Sequence, residues 1–404
     1  MSERRILWVK IGGLWPLHMG GRLRSFHIVS ELSRRHRVTV LTTHGPGEDP
    51  RALAERLPQC ERVVSFPHLS GKLGSARFAW ALVRSWLSPL PVDLWKCRVP
   101  ALQEHVGRLI GAGAVDLCVA DFLCAAPNVP LGGEVPAILF AHNVEHMIWK
   151  RLAAIEARAW RRALLEVEWR KLRRYERRAC ARARLVIAVS EVDRARLAAD
   201  TLGARIRSIP TGVDTSYFTP NGVPEAPARL VFTGSMDWYP NEDAVLFFID
   251  KVLPSIRREV PQVTLTVVGR NPSPRLRAAG EAAGVRITGT VEDVRPWVAE
   301  AAVYVVPLRV GGGTRLKIFE GLAMRKAVVS TTVGAEGLPL VDGRHFLCAD
   351  TPTDFTRAVV SLLQEPGRRK ELGTAGRRLV EDQYSWARVA REFEARCEEA
   401  LAQP

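Results

Sequence analysis

VYVVPLRVGGGTRLKIFEGLAMRKAVVSTT, residues 303–332, decides the fold. The apolar run Val303-Tyr-Val-Val-Pro-Leu308 reads as a buried strand of a parallel sheet. Gly311, Gly312 and Gly313 follow, and Thr314 opens a segment of helical spacing with Leu316, Phe319 and Ala323 on one face. That helix ends near Arg325-Lys326, before a second apolar run, Ala327-Val-Val-Ser-Thr331. The pattern is strand, glycine turn, helix, strand.

Such a turn has a chemical use. Glycines let backbone N–H groups approach a ligand closely, and an open helix N-terminus favours an anion. Arg315 and Lys317 add two cations to the first turn, where they oppose the helix dipole and cost stability unless an anion is bound. The stretch therefore reads as a diphosphate site, with the amides of Gly312, Gly313 and Thr314 as donors and Glu320 placed to accept from sugar hydroxyls. The plainer alternative is a tight βα turn with solvated charges.

At 404 residues, 47% hydrophobic and 25% charged, the chain has the size of two globular domains. No apolar run approaches the ~20 residues that span a bilayer. The start, MSERRILWVKIGG, reads as a first strand and glycine loop rather than a signal peptide. Seven cysteines without a CxxC pair indicate neither a disulfide framework nor a zinc site, and a reduced, cytoplasmic setting is expected. The net charge of +15 is concentrated: between Lys150 and Arg184 stand 13 Lys/Arg against 4 Glu. A single long helix is expected from Trp149 to about Ala181, with Leu165, Trp169 and Leu172 as its apolar stripe. Its basic face suits anionic lipid or a phosphorylated substrate. No nucleic-acid module is recognisable, so nucleic acid is not expected as a partner.

Read in order, the first half alternates strands with helices: Arg5–Val9, Arg37–Thr42, Arg62–Phe66, Asp116–Asp121, Pro136–Ala141 and Arg184–Ser190 are the strands. Ser190 with Asp193 reads as a helix cap. Lys72 to Trp86 reads as an amphipathic helix with Phe78, Leu82 and Trp86 on one face. Trp80, Trp86 and Trp95 lie near Lys72, Arg77, Arg84 and Lys96, a surface for domain packing, an acceptor groove or a membrane interface. His142-Asn-Val-Glu-His146 follows a strand's carboxyl end, the edge at which open α/β sheets bind ligands. A His-x-x-x-His pair can hold metal, but no third ligand is near in sequence. After the Pro/Gly-rich stretch 220–227 the alternation restarts with Leu230–Thr233, Val263–Val268 and Val285–Thr288.

At residues 303–332 the chain resembles the retaining glycosyltransferases of family 4. Glu320 matches the second of two glutamates that the family spaces eight apart, and Ala327-Val-Val-Ser330 matches the strand that follows. Gly312 occupies the first glutamate's place, as in a subgroup carrying Gly-Gly-Gly-Thr-Arg-Leu-Lys. Thr211-Gly-Val-Asp214 through Phe218 is similar to the family's domain-crossing segment. The resemblance implies an α/β, GT-B fold: two Rossmann-like domains, 1–205 and 206–384, facing across a cleft, with the last helix, about 385–404, crossing back to the first. It also implies transfer of a sugar from a nucleotide diphosphate sugar to an acceptor hydroxyl, anomeric configuration retained, with no cofactor and no metal. His142, Arg315 and Lys317 would serve catalysis. Gly234, Ser235, Gly289, Thr290, Val291, Gly312, Gly313, Thr314 and Glu320 would bind the donor, and Gly20, Gly21 and Arg22 would face the acceptor. Family members hold an Arg and a Lys against the diphosphate where this chain has Ser235 and about Asn241, so Arg315 and Lys317 are expected to replace them. A glycan or lipid-linked acceptor, cell-surface glycan assembly and a cytoplasmic place at the inner membrane face complete the expectation. A sugar-nucleotide epimerase of the same fold, or a non-catalytic binding protein, is the rival.

Overall fold

The computed structural model describes residues 2–17, 20–69, 76–156, 158–220, 222–310 and 316–402. The chain forms two compact units, one holding the chain up to Pro210 and again from Val389, the other Thr211–Arg388. In the first, β1 (Arg5–Lys10), β2 (Arg37–His44), β3 (Arg62–Pro67), β4 (Leu117–Asp121), β5 (Ala137–Ala141), β6 (Leu185–Ala188) and β7 (Ile206–Ser208) form a sheet ordered 3-2-1-4-5-6-7. In the second, β8 (Ala226–Thr233), β9 (Thr264–Val268), β10 (Arg286–Ile287), β11 (Ala301–Val306), β12 (Ala327–Ser330) and β13 (Leu347–Cys348) are ordered 10-9-8-11-12-13.

All pairings in both sheets are parallel. Strands β4, β5, β6, β11 and β12 are buried from end to end. That explains their uninterrupted apolar composition, because parallel sheets are covered on both faces. Strand order reverses between β1 and β4 in the first sheet and between β8 and β11 in the second. Such a reversal opens a crevice at the carboxyl ends of the strands.

β7 pairs with β6, so residues 206–210 belong to the first unit, whereas the resemblance had implied that the second begins at 206. The helix Trp386–Leu401 returns to the first unit from Val389 on. There Phe393 lies 5.3 Å from the Trp8 ring and 5.1 Å from Phe140. Buried Glu394 meets His36 at 3.0 Å and Arg35 at 2.7 Å. Just before that return, Val213 N–H donates to the Tyr384 carbonyl at 2.8 Å, and a side chain on Gly212 would collide with Trp386.

The expected long basic helix is two helices, Glu145–Ile155 and Ala159–Arg182. The backbone turns extended at Glu156 and Arg158. Arg162 donates to the Glu156 carbonyl at 2.8 and 3.0 Å, satisfying a group the break would orphan. Folding back lets Glu176, buried on the second helix, accept the Glu145 N–H (2.9 Å) and pair with His146 Nδ1 (2.5 Å) at the start of the first. Glu168 is buried too and accepts the Val92 N–H at 2.8 Å. Two of the segment's four glutamates thus face inward, and its outer surface is more basic than the count implied. As expected, Ser190 Oγ caps its helix by accepting the Asp193 N–H at 3.1 Å.

Candidate functional site

At the reversal point of the second sheet the chain leaves β8 through Gly234. A Cβ there would lie 2.7 Å from Lys317 Nζ and 2.8 Å from Asn241 Nδ2, and one on Gly269, just after β9, would fall on the Gly234 carbonyl. Both positions need glycine for close approach. Lys317 stands in the first turn of the helix Leu316–Ala323 and donates to Asn241 Oδ1 at 2.7 Å. Its ammonium lies 4.2 Å from the centre of the Phe232 ring. Asn241 Nδ2 donates in turn to the Ser235 carbonyl at 2.8 Å. Arg270 Nε donates to Ser235 Oγ at 2.7 Å, and that hydroxyl donates to Asp237. Two cations therefore converge on the Gly234–Ser235 turn.

One helical turn beyond Lys317, Glu320 is half-buried; burial pushes its carboxyl up to about 7, against the opposing pull of Lys317. Past β10, Gly289 adopts φ +73°, a left-handed conformation that glycine tolerates best, and the Thr288 hydroxyl donates to its carbonyl at 2.9 Å. Thr290 is exposed beside it, and Val291 packs on the core. Gly312, Gly313, Thr314 and Arg315 lie outside the described residues.

The reversal point of the first sheet has a different character. Lys10 ends β1, Asp121 ends β4, and the two are register partners. Lys10 Nζ pairs with Asp121 Oδ2 at 3.1 Å, both fully inside the unit. Trp8 Nε1 donates to the same oxygen at 2.9 Å, and His142, just past β5, meets Asp121 Oδ1 through Nε2 at 2.8 Å. Arg24 Nη1 approaches His142 Nδ1 at 3.4 Å. An arginine only donates, so Nδ1 accepts and the ring proton sits on Nε2, directed at Asp121. Phe122 stacks on the imidazole at 3.7 Å and 8°. It does so from φ +72°, a conformation uncommon for a bulky residue and concentrated at functional sites. A side chain on Gly21 would collide with that ring.

Burial raises the Asp121 carboxyl, but Lys10 and then His142 outweigh it and hold the group well below the usual carboxylate range. Burial lowers Lys10, with Asp121 opposing. Burial also brings the His142 imidazole down to about 3 against the pull of Asp121, and Arg24 to about 10. His142 is therefore neutral at ordinary pH.

The sequence placed His142 at the right edge but as a side chain open to ligand; it is buried, with both ring nitrogens engaged inside its own unit. Arg22 likewise turns inward, donating to the carbonyls of Trp15 (2.7 Å) and Gly12 (2.6 Å) and so fastening the glycine loop, while Gly20 begins the helix Gly20–Leu32. His146 pairs with Glu176 and Asp200. No metal-holding group of three His, Cys, Asp or Glu occurs among the described residues. Sequence reasoning passed over Lys10, Arg24, Asp121 and Arg270. A charge closing an apolar strand, as in RILWVK and LCVAD, or just past one, as in TLTVVGR, was the available signal.

Residues 20–217 match the family model Glycosyltransferase Family 4, and residues 227–365 match Glycosyl transferases group 1. The chain is 28% identical over 304 residues to the GDP-mannose-dependent alpha-(1-6)-phosphatidylinositol monomannoside mannosyltransferase of Mycolicibacterium smegmatis, covering 64% of this chain and 78% of that one. It is 21% identical over 169 residues to an uncharacterized 44.6 kDa protein in the cps region of Klebsiella pneumoniae, 40% of this chain and less than half, 44%, of that protein's length. In fold it is similar to the sucrose-phosphate synthase of Thermosynechococcus elongatus, with TM-score 0.71 and 16% identity over 99% of this chain and 100% of that one. It is also similar to Anabaena Alr3699/HepE in complex with UDP and glucose, with TM-score 0.67 and 14% identity over 98% and 100%. These likenesses establish the GT-B fold.

Proposed function

As a glycosyltransferase built of a family 4 domain and a group 1 domain, the chain binds, we propose, a nucleoside diphosphate sugar on its second unit and transfers the sugar to an acceptor hydroxyl with retention of configuration. The observation that carries this is the meeting of Lys317 and Arg270 at the glycine turn after β8. A departing nucleoside diphosphate develops negative charge, and fixed cations and amides aimed at it lower the barrier without reorganising. Lys317 and Arg270 take the diphosphate, together with the amides of Gly312, Gly313 and Thr314 and the charge of Arg315. Glu320 takes the ribose hydroxyls, and the backbone of Gly289 to Val291 takes the base. Attack comes from the front side, so no side chain is a covalent nucleophile, and the cations and amides supply the charge stabilisation that a metal ion could otherwise give. The Lys10–Asp121–His142–Arg24 network positions the first unit's strand edge rather than exchanging protons.

A glycan or lipid-linked acceptor is supported by the mannosyltransferase relative, whose name gives a phosphatidylinositol mannoside as its substrate. The basic face of the Ala159–Arg182 helix suits an anionic membrane surface, which would put the enzyme at the inner face of the membrane in cell-surface glycan assembly. The test is calorimetric titration of UDP and GDP into the parent and Lys317→Ala. We expect the variant to weaken the preferred nucleotide by roughly ten- to a hundredfold, the range for a charge-assisted hydrogen bond, with thermal stability unchanged. Equal affinity in both proteins would remove the site. Release of free nucleotide from labelled nucleotide sugars supports transfer, whereas conversion into another sugar nucleotide would mean epimerisation.

A further inference from the structure

Over its described side chains, from Trp80 on, the helix Ala76–Trp86 turns large apolar residues outward. Its small residues Ala81 and Ser85 face inward, while Trp80, Val83, Trp86 and the adjoining Leu87 stand 58%, 56%, 53% and 84% exposed. Single exposed apolar residues are ordinary, but four large ones within eight positions are not. The expected packing face of Leu82 and Trp86 is only half-realised: Leu82 is half-buried and Trp86 points out; the Phe78 side chain lies outside the described ones.

This outward face is anchored to the basic helix. Lys171 Nζ donates to the Ser85 carbonyl at 2.7 Å and to its hydroxyl at 2.9 Å, and the Ser85 hydroxyl donates to Leu90 O at 2.7 Å. The Ala159–Arg182 helix adds a further exposed tryptophan, Trp160, at 61%. Arginines accompany the indoles: Arg84 lies 4.5 Å from the Trp80 ring centre and Arg161 lies 5.1 Å from Trp160.

We propose that Trp80, Val83, Trp86 and Leu87 form a wedge that enters the headgroup region of an anionic bilayer, while the arginines of the adjoining helix supply the longer-range attraction. Indole rings and arginine stems suit that region because each is apolar along its body and polar at its tip. The charge argues against a second copy of the chain as the occupant: a two-fold contact would set Arg84 and Arg161 against themselves. The inference deepens the membrane reading above by assigning the part of binding that salt does not screen.

Flotation with phosphatidylglycerol/phosphatidylcholine vesicles, at low salt and at about 0.5 M NaCl where the Debye length is only a few ångströms, tests it. The parent should float at both; Trp80→Ser/Trp86→Ser/Leu87→Ser should lose about tenfold or more of the high-salt binding and keep a salt-sensitive remainder. Neutralising Arg170, Arg174, Arg177 and Arg178 should do the converse. Brominated lipid should quench the parent's tryptophan fluorescence more than the triple variant's. Unchanged high-salt flotation of a triple variant with parental circular dichroism overturns the wedge. So does a parent dimer that the triple variant dissociates, which would make this face a self-contact. Nucleotide titration of the triple variant should match the parent, so loss of vesicle binding stays distinguishable from failure of the donor site.

Discussion

The two sheets reverse their strand order in the same way yet finish those edges differently. In the first unit every charge at the reversal is answered inside the protein: Asp121 holds Lys10, His142 and Trp8, and His142 accepts from Arg24. In the second, Lys317 and Arg270 gather around a glycine turn through hydrogen bonds to Asn241 and Ser235, Arg270 also has Asp237 at 3.8 Å on the exposed side, and Glu320 is left half-buried with its carboxyl displaced upward. A polar edge that is internally complete sets geometry. One with cations drawn onto a side-chain-free turn leaves room for an anion to complete it.

The largest effect should come from opening the complete edge. Asp121→Ala strands a buried ammonium, and removing one partner of a buried pair destabilises by about 3–5 kcal/mol. Denaturant melts of the parent and variant measure it, and a loss under about 1 kcal/mol would mean that water already reaches Lys10.

The next effect concerns pH, and its sign differs between the edges. His142 is held near 3 when folded against an ordinary value near 6.5. Its contribution is therefore present above about 6.5 and lost as pH falls toward 3, by up to about 1.4 kcal/mol per unit before screening. Glu320 runs the other way: its folded value near 7 exceeds the ordinary 4.5, so the unfolded chain ionises first. Its penalty is absent below about 4.5, grows to about 7 and then levels, and is smaller because its displacement from the ordinary value is smaller than that of His142. The stability advantage of the parent over His142→Gln should narrow on acidification to about pH 4, whereas acidification from pH 7 to 5 should favour the parent over Glu320→Gln. The same sign in both series would erase the contrast.

Least in size, Arg270→Ala should weaken nucleotide binding by roughly two- to fivefold, as a partly exposed cation is screened. Parent-like affinity would leave Lys317 as the principal cation of the turn.

Much of the fold was legible. Runs such as LCVAD, AILFA and AVVS are buried along their length, and that composition is a local consequence of lying in a covered parallel sheet. Lys317 and Glu320 were legible as a pair because three residues on a helix make neighbours. Their meeting with Gly234, Asn241 and Arg270 was not, since it joins segments after three different strands. The fold-back after Ile155 was also hidden, because what rewards it is a glutamate twenty-one residues further along.

The sequence by itself determined two parallel α/β halves, the glycine turn and the concentration of basic charge, because burial of an apolar run and the permissiveness of glycine are properties of short segments. Tertiary structure alone decided which charges neutralise one another and which face outward. That choice depends on strand register and helix docking, and these place Lys10 against Asp121, turn Arg22 onto its own loop and leave Trp80 and Trp86 facing solvent.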